Sequence, residues 1–131
     1  MIRQISIVSV VLGELLDKAL FIPLVVLLVV TLDQQSTLFS MVALAAGASC
    51  TLAGSYYAAR RAGRLFVAHA LVVAAITFAL SLARFVVVQL GDEPSVHPIW
   101  WEFLAWSATF AAGYFGGALA RARARRDVSV N

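Results

Sequence analysis

Three ionisable residues stand within one apolar run, Glu14, Asp17 and Lys18 in "GELLDKAL", between "ISIVSVVL" and "FIPLVVLLVV". Two carboxylates beside an amine can hold and release a proton, bind a cation, or serve as polar contacts between helices. Glu14 and Lys18 are four residues apart in the favourable order for a helical ion pair, so they are expected to neutralise each other and to leave Asp17 over. Ser6, Ser9, Gly13 and Asp17 follow 3, 4, 4 spacing and form one stripe of a helix. That stripe should face a bundle interior or a partner. Asp17 is therefore the leading buried polar candidate, either protonated or bonded to a cation, with polar glue between helices as the plainer role.

His69, Arg84 and Glu102 are the other ionisable residues expected inside apolar segments. At a helical rise of about 1.5 Å per residue, Arg84 lies about 9 Å below Leu90 and Glu102 about 6 Å below Pro98, so the two are expected to pair. On the same scale Asp17 lies about 22 Å below Leu32, and His69 about 31 Å below Leu90, which makes a contact between Glu14 and His69 feasible. His69 and His97 are expected at opposite ends of the molecule. The single cysteine, Cys50, cannot form an intrachain disulfide or a multi-thiolate metal site. No phosphate-binding or dinucleotide fingerprint is present. No enzyme activity, catalytic residue, cofactor or metal is expected.

The elements that position these groups follow from composition. Of the 131 residues 62% are hydrophobic and 13% charged, against about 45 to 50% and about 25% in soluble domains. Four apolar stretches, residues 5–32, 37–59, 65–90 and 98–120, each reach the roughly 20 residues needed to cross a bilayer. The expected fold is all-α, a single domain over residues 1–131, with four transmembrane helices in an up-down bundle and a basic tail at 121–131. The acids in the first stretch and the lack of a small-residue cleavage site argue against a signal peptide.

Arg3, Arg60, Arg61, Arg64, Arg121, Arg123, Arg125 and Arg126 fall at the N-terminus, the second connection and the tail, whereas the other two connections carry Asp33, Asp92 and Glu93 and no cations. The excess of cations on cytoplasmic loops then puts both termini in the cytoplasm. The net charge of +3 fits contact with anionic membrane lipids rather than nucleic acid, for which no recognition module is present.

Small residues supply packing surfaces. Ala105, Thr109, Gly113 and Gly117 recur every four residues, and Gly47 and Gly54 belong to a similar strip. Such grooves let helix backbones approach closely, within one bundle or against another chain. So small a bundle is expected to have a narrow interior, and any solute path to need an oligomer.

"LGELLDKAL", "GSYYAARRAGRLFVAHA", "HPIWWEFLAW" and "GYFGGALARARARR" together resemble small four-helix bacterial membrane proteins of unknown function. The resemblance implies a multi-pass protein of the bacterial cytoplasmic (inner) membrane and supplies no activity. Two functional expectations follow. The first is a non-enzymatic protein acting through helix association, with itself or as an accessory subunit of a membrane complex. The second is a proton-coupled transporter or channel for a small solute or ion, formed by an oligomer around Glu14 and Asp17.

Overall fold

The computed structural model describes residues 5–91 and 98–129. Arg3, Asp92, Glu93 and His97 lie outside the described residues. Those described fold into α1 (Ile7–Thr31), α2 (Thr37–Ala62), α3 (Phe66–Leu90) and α4 (Ile99–Ser129), so the architecture is all-α.

Local chemistry sets the helix ends. Ser6 caps α1, its hydroxyl accepting the Ser9 N–H at 3.3 Å. Ser36 caps α2 by accepting the Phe39 N–H at 3.1 Å, and donates to the Asp33 carbonyl at 2.6 Å. Each cap satisfies a helix-start donor that has no partner inside the helix. Gly63 ends α2 in the left-handed region, φ 68°, with its N–H on the Ala59 carbonyl at 3.3 Å. Glycine adopts that geometry without a Cβ penalty. Leu65, two residues on, is left-handed too (φ 47°), an uncommon conformation for a bulky residue that reflects how tightly the chain turns into α3.

Several boundaries differ from expectation, two of them by three residues or more. α2 runs to Ala62, and α4 runs to Ser129, so most of the basic tail is helical. Alternating alanine and arginine are both strong helix formers, and cations suit a helix C-terminus. α4 begins at Ile99, one residue after the start of the apolar stretch, and the Pro98 carbonyl accepts the Trp101 N–H at 2.9 Å.

α2, α3 and α4 are each long and apolar enough to cross a membrane. α1 has 25 residues but carries Glu14, Asp17 and Lys18. α1 packs on α2 and α3, α4 packs on α2 and α3, and α2 and α3 touch each other; α1 and α4 share no interface among the described residues. The ring order is therefore α1, α2, α4, α3, with α2 and α3 across the short diagonal.

Burial is concentrated at one end of this bundle, the end bearing the arginines. There it includes Ser9 to Asp17 of α1, Cys50 to Ala59 of α2, His69 to Ala74 of α3, and Ala112 to Ala120 of α4; Ser40 is buried nearer the other end. Glycine makes that packing possible. A Cβ on Gly13 would lie 2.6 Å from the Gly54 carbonyl oxygen, and one on Gly54 would lie 2.5 Å from the Gly13 carbonyl. The two backbones thus meet reciprocally, the close approach that small residues permit between apolar helices. On α4, a Cβ on Gly113 would meet Ala74 at 2.6 Å, one on Gly116 the Leu52 carbonyl at 2.8 Å, and one on Gly117 the Val67 backbone at 2.7 Å.

Toward the other end the helices part. Gly47 has only the Phe21 ring nearby, at 3.5 Å from a built Cβ, and Ala105 and Thr109 line an open cavity. Gly47 thus meets α1 through an ordinary contact with the Phe21 ring, and Ala105 and Thr109 are partly buried. The Thr109 hydroxyl donates to the Ala105 carbonyl of its own helix at 2.9 Å. At this end α3 and α4 are joined by aromatic packing. Trp106 meets Phe78 edge-on at 5.4 Å and Phe85 at 5.7 Å, and its indole N–H donates to Ser81 at 3.2 Å. At the basic end, Arg60 bonds Asp127 at 2.9 Å in an exposed ion pair, which adds little stability in water.

Candidate functional site

The stripe of α1 that carries Ser9, Gly13 and Asp17 is turned inward, with Asp17 only 2% exposed. Gly13 and Gly54 cause this, because their contact draws α1 against α2 and seats Asp17 one helical turn farther along. A Cβ on Gly54 would lie 3.0 Å from that of Asp17.

Asp17 is not left over. Its Oδ2 accepts from Lys18 Nζ at 3.0 Å and from the Thr77 hydroxyl of α3 at 2.9 Å. Lys18 Nζ also lies 3.0 Å from Glu14 Oε1 and 3.4 Å from Thr77 Oγ1, and Thr77 Oγ1 lies 3.1 Å from Glu14 Oε2. The i, i+4 pair forms as expected, but Lys18 bridges both acids. Adjacent side chains on a helix point about 100° apart, which hid this contact from spacing arguments; the long lysine stem curls back across the difference.

The network has a definite proton count. Two carboxylates and one ammonium sum to −1 when all are ionised, and to zero when one carboxyl is protonated. Thr77 has one hydroxyl proton, which can serve Asp17 or Glu14 but not both at once, while its oxygen faces the Lys18 donor. Such a group can take up one proton or one cation with small rearrangement.

Thr77 was missing from the sequence candidates, although a signal existed. His69, Val73, Thr77, Ser81 and Arg84 follow 4, 4, 4, 3 spacing, and the last three form a polar strip on an otherwise apolar helix. All three line a cavity of about 1050 Å³. It runs between the parted helices from the α1–α2 connection down to Asp17, Lys18 and Thr77. The interior is thus not narrow, because most of the buried residues lie toward the basic end and the other halves of the helices border the cavity.

No match appears among protein-family models, curated proteins or solved structures. The site must be read from its own chemistry.

His69 and the Arg84–Glu102 couple behave otherwise than their depths suggested. Buried His69 does not meet Glu14. Its Nε2 accepts the Ser6 N–H at 2.9 Å, and its Nδ1 lies 3.1 Å from the Leu65 carbonyl. An accepting Nε2 leaves the proton on Nδ1, which donates to Leu65. His69 thus ties the start of α1 to the start of α3. Arg84 and Glu102 both line the cavity, yet they are not among the ion pairs of the described residues. Matching depth was thus insufficient for pairing, since depth says nothing of rotation about the helix axis.

Proposed function

We propose that this chain is a four-span protein of the bacterial cytoplasmic membrane that carries a small solute in exchange or in company with a proton, using the Glu14–Asp17–Lys18–Thr77 network as the coupling site. One observation carries the reading: the cavity is closed at the basic end by glycine and alanine packing and terminates on that network. A solute and a proton would therefore compete for, or share, one pair of acids, buried Asp17 and partly buried Glu14. Proton relays inside membranes are built from such groups.

The three apolar helices support residence in the membrane. The fourth span, α1, draws support from its 25-residue length and from the local ion pairs among its charges. Both termini are assigned to the cytoplasm on the arginine distribution. With Cys50 replaced by alanine, single cysteines at Arg64 and Asp127 should then react with a membrane-impermeant maleimide only in inside-out vesicles, and one at Gln34 only in intact cells. The reverse pattern, or a shared side for Gln34 and Arg64, overturns this topology.

The association reading draws less support, since Gly54, Gly113 and Gly117 already meet neighbouring helices of the same chain. The carrier reading is tested in proteoliposomes holding a pH dye, with an imposed proton gradient and an amine, a carboxylate, an amino acid or a sugar added in turn. At least one solute should speed decay of the gradient, and Asp17→Asn or Glu14→Gln should lower that acceleration about tenfold, the effect of about 1.4 kcal/mol. No acceleration by any class, or acceleration unchanged in both variants, sinks the proposal.

A further inference from the structure

The cavity also carries information about what it takes. Its charged lining is asymmetric: Asp17, Asp33 and Glu102 stand against Lys18 and Arg84. Glu14, bonded to Lys18 beneath, makes four acids against two bases. Lys18 spends its charge on Asp17 and Glu14, so its ammonium is not offered to a ligand. Between floor and mouth, Phe21, Phe39, Phe85 and Trp101 border the space. Aromatic faces attract cations, more strongly where water is excluded, and carboxylates do the same. Most of the remaining lining is apolar or small and neutral, and about 1050 Å³ sits at the upper end of small-molecule sites.

From this arrangement we infer that the cavity binds a monovalent organic cation with an apolar body, an amphipathic amine or quaternary ammonium. The inference rests on the carrier reading only in taking the cavity as the ligand site, and specifies the ligand's charge and character. Arg84, about 10 Å along α3 from Thr77, opposes a cation at the mouth and marks the direction of approach: the charged head passes Arg84 and settles among the carboxylates, with the apolar body against the rings.

The test is equilibrium binding to the full chain in lipid nanodiscs, with no proton gradient, so that it is independent of transport. Phenyltrimethylammonium and benzenesulfonate share the ring and differ in charge sign. The cation should bind at least about tenfold more tightly than the anion, a difference of about 1.4 kcal/mol. Glu102→Gln, which lies outside the ion-pair network, should weaken cation binding several-fold, Asp17→Asn should weaken it further, and Arg84→Gln should strengthen it. Trp101→Phe should remove most of the ligand-dependent change in tryptophan fluorescence.

Equal or tighter binding of benzenesulfonate overturns the inference. So does cation binding that is indifferent to both Glu102→Gln and Arg84→Gln, neither of which belongs to the ion pairs of the described residues. Solute-driven proton flux without cation binding would overturn the ligand class and leave the carrier reading standing. Cation binding without any proton flux would do the opposite.

Discussion

Lys18→Met should be among the most damaging single substitutions in this protein, lowering stability by about 3 kcal/mol, the lower end of what breaking a buried ion pair costs. The reason is the asymmetry of the network. Lys18 is 30% exposed, whereas Asp17, which it serves, is 2% exposed. Methionine keeps the stem's bulk and removes the charge, so Asp17 and Glu14 are left facing each other with only the single Thr77 proton between them. The double variant Asp17→Asn with Lys18→Met should recover much of the loss, since it removes the buried unpaired charge along with the cation. Thermal unfolding of the four corners of this cycle in one detergent gives the coupling directly. If Lys18→Met and wild type unfold together, the network is not holding α1 in place.

Gly13→Leu should be comparably harmful through a different route. Even a Cβ at this position would sit 2.6 Å from the Gly54 carbonyl and 2.7 Å from the Ala58 Cβ, and the obstructing carbonyl is backbone that no rotamer change can move. Overpacking ordinarily costs about 1 to 3 kcal/mol; here the whole α1–α2 crossing must open, so a loss at or above the top of that range is expected. Gly47→Leu is the matched control, because it points into the cavity near Phe21. It should leave unfolding nearly unchanged. Equal destabilisation by the two substitutions would mean that the Gly13–Gly54 contact has no special role. Because Gly13 also seats Asp17, Gly13→Leu should lower the proposed solute-driven proton flux even in whatever fraction folds.

Legibility varied with the kind of interaction. The Ser6–Ser9–Gly13–Asp17 stripe was readable because a helix's 3.6-residue repeat is a property of the chain alone, and Ser9, Gly13 and Asp17 do lie buried. The Glu14–Lys18 pair was readable for the same reason. Partners on other helices were less so. Depth counting brought Glu14 level with His69, yet depth carries no angle about the helix axis; His69 turns to Ser6, and Glu14 turns to Thr77. Arg84 and Glu102, matched in depth, are likewise not among the ion pairs of the described residues. Small-residue spacing likewise identified α4 as a packing surface without showing where along it the contact stops: Gly113 and Gly117 touch neighbours, whereas Ala105 and Thr109 border open space.

The sequence by itself determined four helices, their approximate ends, and the residues of α1 that face inward, because hydrophobicity, capping and helical periodicity act within short stretches of chain. Only the tertiary structure decided that Lys18 serves two acids, that Thr77 completes their network, and that the helices close at one end and part at the other. Those outcomes depend on how far each helix is rotated and tilted against its neighbours. Rotation and tilt are set by contacts such as Gly13 on Gly54, between residues that are far apart in the chain.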